Sequence, residues 1–140
     1  MNLFVGVNYL AVLVAAILGM AIGAFWYSPA LFGKQWMALN KFSKEGTQAA
    51  KKKGMGGKYF VSFVGLIFAS CTIAHIVAYA NAFSLLQGIY IGFLLAIGIA
   101  APILIGSAIW ENKPLKLFFI HLGHYLVVFI LMGALLAVWQ

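Results

Sequence analysis

Long apolar runs separated by short polar breaks organise this chain. They cover about 3–27, 58–80, 83–110 and 115–139. Each reaches or exceeds the roughly 20 residues an α-helix needs to cross a bilayer. The pattern predicts an all-α, polytopic membrane protein: one domain, 1–140, of four transmembrane helices. The first run lacks a basic leader and exceeds the roughly 7–15-residue core of a signal peptide, so it is expected to stay as a span. The break around NAFS is short, which makes spans two and three antiparallel neighbours. Pro102 lies inside span three between Gly98 and Gly106 and predicts a kink there. Pro29 and Pro114 sit where helices end or begin.

The one long break, about 30–57, has a pattern of its own. At 100° per residue, Leu31, Phe32, Trp36, Leu39 and Phe42 fall on one side, with Lys34, Asn40 and Lys41 opposite. That is the signature of an amphipathic helix lying in the membrane interface. The basic stretch SKEGTQAAKKKGMGGK follows. Its GMGGK lacks the spacing of a phosphate-binding loop.

Composition sharpens the picture. The chain is 65% hydrophobic and 8% charged, against about 25% charged in a soluble domain, and its mean hydropathy is +1.05. Every cation is a lysine; the acids are Glu45 and Glu111, and there is no arginine or aspartate. Guanidinium clamps, paired-aspartate catalysis and carboxylate-rich Mg²⁺ or Ca²⁺ sites are therefore excluded. Cys71 is alone, so no intrachain disulfide forms. The net charge of +7 points to anionic lipid headgroups and not to nucleic acid, because lysines beside a membrane meet lipid. Lys34, Lys41, Lys44, Lys51, Lys52, Lys53 and Lys58 are the expected headgroup contacts.

The same lysines set an orientation. Seven lie between span one and the first residue of span two, and Lys113 and Lys116 lie at the junction of spans three and four. The positive-inside rule places both loops in the cytoplasm and both termini outside, in a cell's inner membrane.

Small and polar residues mark the faces that meet protein. In span one these are Asn8, Ala15, Gly19, Gly23 and Trp26; Leu10, Leu13, Ile17 and Phe25 suit lipid. Span two groups Gly65, Cys71, Thr72, His75 and Tyr79. Span three groups Gly88, Gly92, Ala96, Ile99 and Gly106. Span four is two-faced: His121, His124, Tyr125 and Met132 lie on one side, and Gly123, Ile130, Gly133 and Ala137 on the other. If four helices bury only one of those faces, the other implies a homo-oligomer.

The candidate functional groups are the polar residues inside the spans: Asn8, His75, Ser107, Glu111, His121, His124 and Tyr125. Intramembrane ionisable groups are functional candidates by default. With no carboxylate in the spans' interior, a pump for charged substrates is disfavoured. Passive permeation, or binding of a small neutral or lipid-like molecule, fits better. The alternative is a structural or accessory membrane protein that binds a partner. A third reading ligates haem or a metal through His121 and His124. HxxH supplies two ligands, and His75 lies at another depth. Hydrolytic triads fail for want of aspartate, so the chain leans away from being an enzyme, with no catalytic residue and no cofactor assigned. The histidine pair is expected to bond to span three, with Ser107 and Trp110 as partners.

The block NYLAVLVAAILGMAIGAFWYSPALFGKQW, above all WYSPxLFGxxW from Trp26 to Trp36, resembles an uncharacterised bacterial membrane family, domain of unknown function 1761. The late Lys-Pro turn and the closing GALLAVW are similar as well. The resemblance implies a four-span membrane protein and carries no catalytic role. Small multidrug exporters share the size but rely on a glutamate in the first span, which has no acid here. GAFWYSP and GSAIWENKP, closing spans one and three, also resemble one another, as Trp and Pro at two membrane exits do by chance.

Overall fold

The computed structural model describes residues 5–140. The start expected for span one, at Leu3, lies outside them. Among the described residues the fold is all-helical. Its membrane-length helices are α1 (Tyr9–Trp26), α4 (Gly56–Tyr79), the pair α5 (Leu85–Leu95) and α6 (Ala101–Trp110) joined by a π-helical turn, and α7 (Leu115–Val138). Two short helices, α2 (Gly33–Leu39) and α3 (Lys44–Lys52), fill the long break. The four long helices are apolar enough to cross a membrane, and the chain is built as a multi-pass membrane protein.

Local chemistry fixes the ends. Asn8 caps α1, its side-chain oxygen accepting from the backbone N–H groups of Leu10 and Ala11 at 3.1 Å each. Ser84 and Gln87 form a capping box at the start of α5, which satisfies N–H groups that lipid cannot. After α4, Asn81 turns left-handed at φ 49°. The Asn81 and Ala82 N–H groups then return to the Ala78 and Val77 carbonyls, a closure that suits Asn.

α7 is the central helix, touching α1, α4 and α5. Its closest neighbour is α5, where the two backbones meet. A Cβ on Gly88 or Gly92 would strike main-chain atoms of Gly133 and of Phe129–Ile130. Such approach is what gains packing energy between helices in lipid, where the hydrophobic effect gives none. Gly19 plays the same part for α1, since a Cβ there would lie 2.7 Å from Met132 Cε. Ser70, fully buried, donates its hydroxyl from α4 to the Val12 carbonyl of α1 at 2.9 Å.

Span three bends as its proline predicts, by a specific device. The Ala101 N–H reaches back five residues to the Ala96 carbonyl, so one turn is widened just before Pro102. A proline in a regular helix clashes with the carbonyl four residues back, here that of Gly98, and a wide turn relieves that clash. The extra residue also rotates the face. Gly88, Gly92 and Ala96 are buried as a stripe, which continues at Ala100 instead of Ile99; Ile99 is 55% exposed.

The bundle is unevenly packed. Buried residues of α4 are Ser70, Ile73, Ala74 and Val77, all in its second half, and α6 has none. The end holding Asn8 and Asn81 is therefore tight. The opposite end, with both lysine-bearing breaks, is open. Large apolar side chains such as Phe60, Phe68, Leu86 and Ile103 point outward, as expected of a surface in lipid.

Candidate functional site

The lysine end is organised by the stretch from Trp26 to Trp36. After Tyr27 the chain folds beneath α1: the Phe32 N–H bonds to the Trp26 carbonyl at 3.0 Å and the Gly33 N–H to that of Ser28 at 2.9 Å. Pro29 suits this turn because no bond is asked of its nitrogen. Gly33 is buried where a Cβ would fall on the Tyr27 carbonyl and within 2.6 Å of Ser28 main-chain atoms. The turn sets Phe32 4.8 Å from Trp26 and Trp36 5.5 Å from Tyr27, ring centre to ring centre. A helix forms in the expected stretch, but α2 covers only Gly33–Leu39, so Leu31 and Phe42 lie beside it and stay exposed.

These aromatic groups receive the two histidines of α7. Tyr27 Oη and His121 Nδ1 share a hydrogen bond of 2.6 Å, and Trp26 Nε1 donates to the Ile120 carbonyl at 3.0 Å. The partner of His121 thus comes from the exit of α1, not from Ser107 or Trp110, and the bond expected of His124 is not made by its buried Nε2. Trp110 is 85% exposed, so the likeness of GAFWYSP to GSAIWENKP does not extend to contacts. Two glycines make the fit reciprocal. A Cβ on Gly123 would stand 2.8 Å from the Trp26 ring, and one on Gly23 would stand 3.2 Å from His124 Nε2. His124 Nε2 is buried among the rings of Trp26, Tyr27 and Tyr125, without a hydrogen-bond partner among the described residues. Burial holds the ionisation of Tyr27 well above the ordinary phenol range, and Tyr125 adds to the shift. The phenol stays neutral and available as a hydrogen-bond donor.

Beside this cluster, α6 and α7 part to leave a cleft of about 200 Å³. Leu104, Ser107 and Ala108 line one wall, Leu117, Phe118, His121 and Tyr125 the other, and Lys113 the rim. Lys113 Nζ lies 2.7 Å from Glu111 Oε2. Hydrogen bonds from Lys113 and Ser107 hold the Glu111 carboxyl below its usual range. The cleft therefore offers a cation already paired, a hydroxyl, a phenol, an imidazole and an apolar floor.

The remaining candidates lie elsewhere. Asn8 is spent on its cap, and His75 bonds through Nδ1 to the Cys71 carbonyl of its own helix at 2.8 Å. Between them and the histidine cluster the interior is filled by Val128 and Met132, each with no exposure. The polar residues form two separate ends, not a file. Among the described residues no three His, Cys, Asp or Glu side chains converge as a metal site. Both faces of α7 find partners within the chain: the histidine face meets α1 and the Gly133 face meets α5. Those two faces alone therefore no longer call for a second copy. The seven loop lysines all lie exposed at the same end.

Sequence reading missed the pairing of Tyr27 with His121 and of Trp26 with Gly123. The available signal was Gly123 itself, a small residue set in sequence between the two histidines. Residues 10–137 match a protein family described as a protein of unknown function (DUF1761). No curated protein and no solved structure matches the chain.

Proposed function

The chain belongs to the DUF1761 family of proteins of unknown function, and from that premise we propose that it binds a small, neutral, lipid-like molecule in the cleft between α6 and α7. The observation that carries this reading is the cleft's mixed chemistry. His121 and Tyr125 can hydrogen-bond a hydroxyl or carbonyl and the Ser107 oxygen can accept from a hydroxyl, while Leu104, Leu117 and Phe118 receive a hydrocarbon chain. Lys113 is engaged by Glu111, which favours an uncharged head over an acid. Binding is a better account than permeation because the interior beyond the cluster is filled. In this reading the lysine end faces the cytoplasm, both termini face outward, and the bundle sits in a cell's inner membrane.

Photo-crosslinking tests it. A monoacylglycerol carrying a diazirine in its chain is added to the protein in lipid nanodiscs, and labelled peptides are mapped by mass spectrometry. Label concentrated at 104–125, and reduced several-fold by Ser107→Ala with Tyr125→Phe, is the expected result. Label spread evenly over the exposed faces of α1 and α4 would overturn the proposal.

A further inference from the structure

The long break between α1 and α4 contains a helix that the bundle does not use. No residue of α3 is buried, and its side-chain hydrogen bonds stay local, within Ser43–Thr47. It is nonetheless a well-made helix. Ser43 caps it by accepting from the Gly46 N–H at 2.9 Å, Glu45 lies in its first turn, and Lys51 and Lys52 lie in its last. Each choice complements the helix dipole. Left-handed residues joint it at both ends: Lys41 at φ 56° before it and Gly54 at φ 86° after it.

Its chemistry points to one kind of partner. From 44 to 53, four lysines stand against one glutamate. At 100° per residue, Lys44, Lys51 and Lys52 share a side with Gln48, while Gly46, Ala49 and Ala50 occupy the other, where Lys53 closes the helix. That second face is too small to bury useful area in hydrocarbon, so insertion cannot hold α3 to anything. Charge can. The tether decides which charge lies within reach. α3 is strung between α2, flanked by the exposed apolar residues Leu31 and Phe42, and α4, which enters the bilayer with Lys58 in its first turn. With α1 and α4 spanning a bilayer, both attachment points fall at its surface, so the lysines of α3 are held within a few residues of the headgroups.

We propose that α3 with Lys53 is an electrostatic arm that docks on anionic headgroups of the bilayer the bundle spans. It is held by charge, while Leu31 and Phe42 supply the apolar anchor alongside. This inference does not depend on the cleft.

The test uses the full chain in nanodiscs, with Cys71→Ser and Gln48→Cys to place a fluorophore on α3. Acrylamide quenching is compared between phosphatidylcholine and phosphatidylcholine mixed with phosphatidylglycerol. Shielding in the anionic discs alone is expected, and it should vanish near 1 M salt, where the screening length falls to about 3 Å. Each lysine changed to glutamine should lower the docked-to-free ratio about five-fold. A control fluorophore at Gly65 should report the same environment in every disc, separating arm release from misfolding. Equal quenching in both lipids, or shielding that appears only when soluble polyglutamate or RNA is added, would overturn the proposal.

Discussion

Glycine decides the lysine end residue by residue, because an indole, an imidazole and a turn need space that any Cβ would take. Gly33 and Gly65 make a fair comparison: a Cβ on the first meets backbone, and one on the second meets nothing within 4 Å. Gly33→Ala is expected to cost about 1–3 kcal/mol through forced displacement of a packed turn. Gly65→Ala is expected to be neutral or slightly stabilising, gaining helix propensity. Reversible unfolding in mixed detergent micelles would measure both, and equal effects would contradict the contact. Tyr27→Phe removes a single interhelical bond, worth about 0.6 kcal/mol on average in membranes. It also changes the alkaline limb. Burial raises the folded-state ionisation of Tyr27, so its contribution is complete below the unfolded phenol value of about 10 and is lost as pH rises from there through the folded value. The stability gap between wild type and Tyr27→Phe should narrow above about pH 10 and stay constant below it. These contacts were only half legible. The chain shows that Trp26, Tyr27, His121 and His124 share one depth, but not that α1 instead of α6 would stand beside the histidines. That choice rests on Gly23 and Gly123, whose role is an absence of atoms.

At the scale of elements, the spans could be read directly because hydropathy is a sum over some twenty residues and tolerates local error. The phase of span three could not. A regular period places Ile99 with Gly88 and Gly92, whereas the wide turn at Ala96–Ala100 passes the buried stripe to Ala100. Pro102 announces a bend, yet nothing in its identity states whether a kink or an inserted residue relieves it. The distinction can be tested. Deleting Gly98 removes the inserted residue, keeps Ser107 pointing as before, and restores the proline's clash with the carbonyl four residues back. The deletion is expected to cost about 3 kcal/mol, and Pro102→Ala in the same chain should recover most of it. Unfolding measurements on the wild type, the deletion and the double change close the cycle. No recovery would mean that the turn serves something other than the proline.

The whole molecule joins a closed end to an open one, and the lysines lie at the open end. If those lysines face the cytoplasm, reporter fusions near Lys52 should be active there and fusions near Asn81 should not; the reverse pattern would invert the topology. Lysine counting makes this prediction from sequence alone, while the asymmetry of packing needed coordinates, since the loose half of α4 and the whole of α6 are as apolar as the tight half of α4. The contact between the exit of α1 and the entrance of α7 spans 94 residues of sequence. At synthesis rates of about 5–20 residues per second, roughly 5–20 s separate the emergence of the two sides. During that interval Trp26 and Tyr27 have no histidine helix to meet, and the first span waits in the bilayer with its polar tips unclaimed. A chain stalled before α7 would therefore be a distinct species, recognisable to a membrane protease by that unclaimed end, and the arrival of the last helix is the event that makes the protein whole.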